Sequence, residues 1–323
     1  MELVPRKHFQ LYSGRSHPEL AEEVATCLGV DLGDPDLIDF PNTEVRATFT
    51  QSVRGADVFI FQSHAAPVNH SVMEQLIMID AAKRGSAKRI TAVCPYYGYG
   101  RQDRKAKGRE PITAKLVADI LKVAGADRIL SVDLHSGQIQ GFFDGPFDHL
   151  TAMPVLVEHL RGHLGSEVVV VAPDAGRIKA AERFSRLLGT DMASVYKRRG
   201  KGEISQVEAL GVMGEVTGRC CVLVDDMIDT AATIVAAAER LKASGAAEVW
   251  AAATHAVFSG PAVDRLKNSV IDRIVVTDTL PLPADGQIDK VEVLPIAQII
   301  ADAIDAVFED TSVSEIFGGE NQS

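Results

Sequence analysis

The stretch Cys220–Gly245, CCVLVDDMIDTAATIVAAAERLKASG, decides the fold. Its first five residues form an apolar run with no alternation, which is expected of a strand covered on both faces. The run leads into Asp225, Asp226 and Asp229, and a turn through Thr230, Ala231, Ala232 and Thr233 feeds a helical pattern. Gly245 stands where that helix should stop.

The same strand, loop and helix succession returns along the chain. ADVFIFQ leads through SHAAPVNHS to VMEQLIMIDAAKRG, and KRITAVCP through YYGYGRQDRKAKGREP to ITAKLVADILKVAGA. DRILSVDLHSGQIQGFF, EVVVVAPDAGRIKAAERFSRLLG and the opening segment repeat the form, while AEVWAAATHAVFSG and DRIVVTDTLP add strands. The class is α/β with mostly parallel sheets flanked by helices. Pro111 is expected as a first helical residue, with Ile112, Leu116 and Ile120 sharing a face with Val117 and Leu121. A boundary falls near FFDGPFDHLTAMP and gives halves of about 150 residues. The tail GGENQS reads as lacking order.

At 323 residues with a net charge of -11, the chain is not expected to bind nucleic acid or an anionic membrane through its general surface. A local basic pocket for a small anion remains compatible with that charge. No run approaches the ~18 apolar residues of a membrane span, and MELVPRKHFQLYSG lacks the apolar core of a signal peptide. Cys27, Cys94, Cys220 and Cys221 have no metal spacing and read as buried free thiols, with Cys220 and Cys221 on opposite faces of a strand. The expected compartment is the cytoplasm.

In open parallel sheets, ligands bind beyond the carboxyl ends of the strands. Asp225 and Asp226, Asp174, His135, and Arg101 with Gln102 all follow apolar runs. In the quoted stretch, acids lie beside a helix N-terminus whose free N–H groups and dipole favour a phosphate. Carboxylates accepting from ribose hydroxyls next to such a cradle suit a sugar phosphate. The plainer reading is an N-capping aspartate and a solvated loop.

VLVDDMIDTAAT resembles the ribose 5-phosphate loop of the phosphoribosyltransferase fold. Nearly the whole chain is similar to one family within that superfamily, ribose-phosphate diphosphokinase (phosphoribosyl pyrophosphate synthetase). The similarity runs through SVRGADVFIFQS, RITAVCPYYGYGRQDRKAKGREPITAKLVAD, DLHSGQIQGFFDGP, VAPDAGR, HAVFSGPA and SVSEIF. It implies two similar domains, 1–150 on the ATP side, joined by a C-terminal helix of about 305–318, and 151–304 with the sugar loop and a catalytic flap. The family transfers the diphosphoryl group of ATP to the anomeric hydroxyl of ribose 5-phosphate and releases AMP. Mg²⁺ is the implied cofactor, and a homo-oligomer, commonly a hexamer, the implied assembly.

By the same resemblance, His135 and Asp174 occupy metal-site positions, His135 directly or through water or phosphate. Lys197 and Arg199 of YKRRGKGEISQ match the basic flap positions that stabilise charge on the transferring group. Phe40, Asn42, Thr43 and Glu44 of FPNTE match the adenine loop, and Arg101 and Gln102 the nucleotide contacts. Asp225, Asp226, Asp229, Thr230, Ala231, Ala232, Thr233 and Arg199 match the ribose 5-phosphate site. Ser52, Arg54, Ser86, Ser312 and Ser314 resemble an inter-subunit anion site that takes phosphate as activator or ADP as inhibitor.

Three departures stand out. Pro41 and Thr43 replace the small-residue and Asn/Asp-Gly-Glu pattern of the adenine loop. Arg177 stands where many relatives have a second glycine, as another phosphate contact or as filler. Ala231 and Ala232 occupy a turn that usually carries at least one glycine, which costs binding only if one of them needs positive φ. The second functional reading is therefore a weak or inactive regulatory paralogue that assembles with an active synthetase.

Overall fold

The computed structural model describes residues 7–198 and 209–317. Arg199, Lys201 and the tail GGENQS lie outside the described residues. The chain divides into two compact units. The first holds Met1–Thr151, Thr279–Pro281 and Ile296–Ser323, and the second holds Ala152–Asp278 and Leu282–Pro295.

The first unit begins with β1 (Phe9–Ser13) and α1 (Pro18–Leu28), then a short hairpin of β2 (Ile38–Asp39) and β3 (Val45–Arg46). It continues through β4 (Asp57–Phe61), α2 (Val68–Arg84), β5 (Arg89–Cys94), α3 (Thr113–Ala124), β6 (Arg128–Val132) and β7 (Phe147–Leu150). Its main sheet has the order β1-β4-β5-β6-β7, and every pair in it is parallel. All five residues of β4 are buried: Val58–Phe61 are apolar, as expected of a strand covered on both faces, and Asp57 is buried with Arg89 donating to both its oxygens at 2.9 and 2.6 Å.

The second unit runs through α4 (Met153–His163), β8 (Val168–Ala172), α5 (Ile178–Leu188), β9 (Asp191–Arg198) and β10 (Ala209–Met213). Then follow β11 (Cys220–Ile228), α6 (Ala232–Ala243), β12 (Glu248–Ala256), α7 (Ala262–Lys267), β13 (Arg273–Thr277) and β14 (Val291–Leu294). Its sheet has the order β10-β9-β8-β11-β12-β13-β14, and only β10 is antiparallel to its neighbour. Cys221 joins the core on one face of this sheet, whereas Cys220 packs against the core on the other. Cys27 is exposed rather than buried, because α1 turns it outward.

The chain returns to the first unit as α8 (Ala297–Phe308), which packs along α1. Ile300, Ala301, Ile304 and Val307 are buried there, so the helix belongs to this core over its whole length. The joining segment thus starts before 305, and a separate 3₁₀ turn, Val313–Phe317, follows the helix. Asp310 closes the helix end by pairing with Lys7 at 2.9 Å and Arg89 at 2.5 Å.

α3 also differs from its sequence pattern. It starts at Thr113, two residues after Pro111, and buries Ala114, Val117, Ala118 and Leu121. Ile112 and Leu116 are exposed, so the apolar residues split between two faces. No described helix is long and apolar enough to cross a membrane.

Candidate active site

Strand order creates a crevice in the second unit. From β8 the chain moves to β9 and β10 on one side, then crosses back to place β11 on the other. The connections leaving β8 and β11 therefore diverge, and such a switch point opens a cleft at the carboxyl ends. β8 pairs with β11 only as far as Leu223, while β12 accompanies β11 to Ile228. Asp225 and Asp226 thus belong to the strand itself, on a stretch that outruns β8, rather than to a loop after Val224. The polar tip remains extended because β12 pairs with it.

The turn after β8 fills the edge that β8 leaves. Asp174 caps it by accepting from the Gly176 amide at 2.8 Å, and the Arg177 amide donates to the Asp174 carbonyl at 3.2 Å. Arg177 then reaches both acids, Nε lying 2.8 Å from Asp225 Oδ1 and Nη2 2.8 Å from Asp226 Oδ1. The Asp226 amide donates to Asp225 Oδ1 at 2.8 Å. Burial pushes the Asp225 carboxyl well above the usual carboxylate range, Asp226 adds to the rise, and Arg177 opposes it.

After Ile228 the loop is braced from the Phe258–Gly260 segment. The Phe258 amide donates to the Ile228 carbonyl and the Ser259 amide to the Asp229 carbonyl, both at 3.0 Å. Ser259 Oγ also bonds the Asp229 carboxylate, and Arg265 donates to the Thr230 carbonyl at 2.9 Å. Ala231 then takes φ 61 and ψ 2, in the left-handed region, and α6 starts at Ala232. Among the described residues no side chain caps this helix, so its first-turn amides are left without a side-chain acceptor. Thr230, Ala232 and Thr233 are exposed there, while the Ala231 methyl is buried in the core.

The structure therefore separates the two alanines. Ala231 occupies the position that favours glycine, and Ala232 is an ordinary first helical residue. Lys197 lies in the last part of β9, opposite Leu210 of β10.

In the first unit, residues 40–44 form the tip of the β2–β3 hairpin. The Phe40 amide donates to the Glu44 carbonyl and the Thr43 amide to the Phe40 carbonyl, both at 2.8 Å. Asn42 Oδ1 accepts from the Glu44 amide at 3.2 Å. Phe40 is 43% exposed, which removes it from the core and leaves a ring face for stacking. Thr43 has φ 70, in the left-handed region that favours glycine.

Arg101 and Gln102 follow β5 and help line a cleft of about 620 Å³ with Pro67, Asn69, Tyr96 and Tyr99. Thr113 Oγ1 donates to Gln102 Oε1 at 2.5 Å, tying the loop to the start of α3. Buried His64 supports the same loop: its Nδ1 accepts from the Gly98 amide at 2.9 Å and its Nε2 faces Gln75 Oε1 at 2.9 Å. Burial holds the His64 imidazole neutral, with its pKa pushed down to about 4.

His135 follows β6. Its loop is linked to the Arg101 loop by Asp103, whose Oδ2 accepts from Ser136 Oγ at 2.7 Å and Gln138 Nε2 at 3.2 Å. Sequence reasoning singled out neither Asp103, although it sits inside GRQDRK, nor His64, in the SHAAPVNHS loop after β4; only the fold shows what they support.

Ser52, Arg54 and Ser86 converge through local bonds. The Arg54 amide lies 3.5 Å from Ser52 Oγ, and the Gly55 amide donates to the Ser86 carbonyl at 2.8 Å. Ser312 and Ser314 contact one another at 2.9 Å in the C-terminal turn.

Comparison with known proteins decides the family. The N-terminal domain of ribose phosphate pyrophosphokinase matches residues 9–125, and the phosphoribosyl synthetase-associated domain matches residues 202–318. Ribose-phosphate pyrophosphokinase of Streptomyces avermitilis is 55% identical over 312 residues, 96% of either chain. The chain belongs to the ribose-phosphate pyrophosphokinase family. The protein of that name from Bifidobacterium longum is 55% identical over 322 residues, 98% of this chain and 94% of its own. The crystal structure of phosphoribosylpyrophosphate synthetase from Mycobacterium smegmatis superposes with a TM-score of 0.89 at 49% identity, covering 94% of this chain and 100% of that one.

Membership in the ribose-phosphate pyrophosphokinase family makes the chain an enzyme that forms phosphoribosyl pyrophosphate from ribose 5-phosphate and ATP. The departures from family pattern become physical in this setting. Both Ala231 and Thr43 carry positive φ where the pattern favours glycine, and Arg177 binds the two acids instead of filling space.

Proposed function

We propose that the switch-point crevice of the second unit holds ribose 5-phosphate. Asp225 and Asp226 take the ring hydroxyls, and the first turn of α6, with Thr230 and Thr233, takes the phosphate. The observation that carries this reading is an uncapped α6 N-terminus directly following the acid strand at the switch point. Asp229 shapes the loop through Ser259. Ala231 and Ala232 present backbone amides.

The first unit supplies nucleotide contacts. Phe40 stacks on the base, Asn42, Thr43 and Glu44 give it polar edges, and Arg101 and Gln102 meet the phosphates. The anomeric hydroxyl attacks the β-phosphorus of ATP: its oxygen bonds to that phosphorus, its proton passes to solvent, and the bond from the β-phosphorus to the α,β-bridging oxygen breaks to release AMP. Lys197 and Arg199 stabilise charge on the transferring diphosphoryl group.

The donors present fit Mg²⁺ through a single carboxylate, Asp174. Among the described residues no group of three or more His, Cys, Asp or Glu side chains is placed to hold a metal. Asp174 is nevertheless an exposed carboxylate on a capped turn, and Mg²⁺ commonly binds one or two carboxylates plus substrate phosphates and water. Asp174 would hold the ion, with His135 acting directly or through water or phosphate. Bound there, the ion supplies neutralisation of polyphosphate charge.

The wider reading is a cytoplasmic homo-oligomer, a hexamer, without nucleic-acid or membrane partners. Ser52, Arg54, Ser86, Ser312 and Ser314 take phosphate or ADP as effectors. Purified protein with Mg²⁺, ATP and ribose 5-phosphate should yield AMP and phosphoribosyl pyrophosphate in equal amounts. No AMP across a range of phosphate concentrations would instead fit the regulatory paralogue.

A further inference from the structure

We propose that Arg177 is a positioning residue for the pentose hydroxyls: its guanidinium fixes the two carboxylates that receive them. The inference builds on the ribose 5-phosphate reading above.

Consecutive strand residues normally send their side chains to opposite faces. Asp225 and Asp226 nevertheless meet one guanidinium, Nε and Nη2 each at 2.8 Å from an Oδ1. Two features permit this. β8 has ended beside them, and the capped turn of Asp174, Gly176 and Arg177 brings the arginine to the vacated edge. The arginine side chain is 16% exposed, and the two carboxylates are 16% and 7% exposed.

Two adjacent, largely buried carboxylates repel one another, and a proton or a rotation relieves the repulsion. Either change would spoil a surface meant to accept from a vicinal diol. A planar guanidinium with fixed donor directions counters the charge and sets the orientation of both acids together. It does so from one oxygen of each acid. Lysine offers the charge without the fork.

Arg177 therefore acts at the hydroxyl end of the sugar, not at the phosphate end, which α6 provides. It touches the acids, and they touch the substrate. A phosphate-contacting arginine would affect ribose 5-phosphate and 2-deoxyribose 5-phosphate alike. A positioning arginine affects mainly the sugar that retains the missing hydroxyl.

The experiment is a calorimetric titration of the full chain with each of those two sugars, in Mg²⁺ and a non-hydrolysable ATP analogue. Wild type, Arg177→Met and Arg177→Lys are compared, with thermal melting as a check of folding. Wild type should prefer ribose 5-phosphate. Arg177→Met should weaken it by about tenfold and reduce the preference over the deoxy sugar to within about twofold. Arg177→Lys should fall between them, and the Michaelis constant for ATP should hold within about twofold in both variants.

Equal weakening of both sugars, unchanged affinity or tighter binding in Arg177→Met would overturn the proposal. If Arg177→Met fails to fold, Arg177→Lys decides: about threefold weakening confined to ribose 5-phosphate supports it, and wild-type affinity refutes it. Failure of wild type to bind either sugar would instead remove the underlying ribose 5-phosphate reading, and the inference with it.

Discussion

Asp39 receives both ends of the Arg15 guanidinium, at 2.6 and 2.9 Å, and immediately precedes Phe40 in the β2–β3 hairpin. Arg15 is held from behind by Glu74, which is 1% exposed and accepts from both the Arg15 amide and Nε at 2.7 Å. The proposed adenine loop is thereby anchored to a buried acid of α2.

Arg15→Met should raise the Michaelis constant for ATP by about tenfold and leave that for ribose 5-phosphate within about twofold. It should also destabilise the protein by about 2 kcal/mol, because Glu74 loses its counter-charge in the interior. Steady-state kinetics with each substrate varied, together with denaturant melts, checks both. Equal effects on the two substrates would show that the hairpin is not a nucleotide element.

Glycine at Ala231 and at Ala232 should behave differently. Ala231→Gly relieves a positive φ worth about 1–2 kcal/mol but gives up a buried methyl worth about 0.8 kcal/mol. Stability should therefore change little, while easier formation of the turn lowers the Michaelis constant for ribose 5-phosphate by about threefold. Ala232→Gly removes a good helix former at an ordinary helical position and costs up to about 1 kcal/mol without that gain. Kinetics and thermal melts of the two variants distinguish the positions.

Much of this was legible in the residues. Unbroken apolar runs such as VVVVA and CCVLV marked strands covered on both faces, and polar residues after them marked the carboxyl ends. What stayed hidden was tertiary. That Ala231 rather than Ala232 carries the positive φ depends on where α6 begins. Asp225 and Asp226 remain in β11 because β12 pairs with Asp225 and again with Met227 and Ile228, although their residue type argues for a loop. The contact of Arg177 with both acids depends on β8 stopping at Ala172, and nothing near Arg177 in sequence announces it. Leu116 and Ile112 look like core because apolar content shows a helix's pattern but not which stripe is covered.

His64 should make stability fall in acid. Its folded pKa is pushed down to about 4 by complete burial, whereas the unfolded side chain titrates near 6.5. Unfolding therefore takes up a proton between those values. The contribution is fully present above about pH 6.5 and is lost as pH falls to about 4, a change of about 3 kcal/mol. His64→Asn, which retains an acceptor for the Gly98 amide, should flatten that part of the stability–pH curve measured by denaturant melts. An unchanged slope would place the titration elsewhere.

Asp174→Asn should raise the Mg²⁺ concentration needed for half-maximal rate by about tenfold while leaving thermal stability within about 1 kcal/mol, since the amide oxygen can still cap the turn. Removing the divalent ion with a chelator should abolish product formation in wild type. Rates measured across a Mg²⁺ series test both statements.

The most direct test of the sugar site is a crystal structure grown with ribose 5-phosphate. The phosphate is expected on the first-turn amides of α6 with Thr230 and Thr233, and the ring hydroxyls on Asp225 and Asp226. A sugar seated away from Asp225–Thr233, or density elsewhere with this crevice closed by the Ala231 turn, would contradict it.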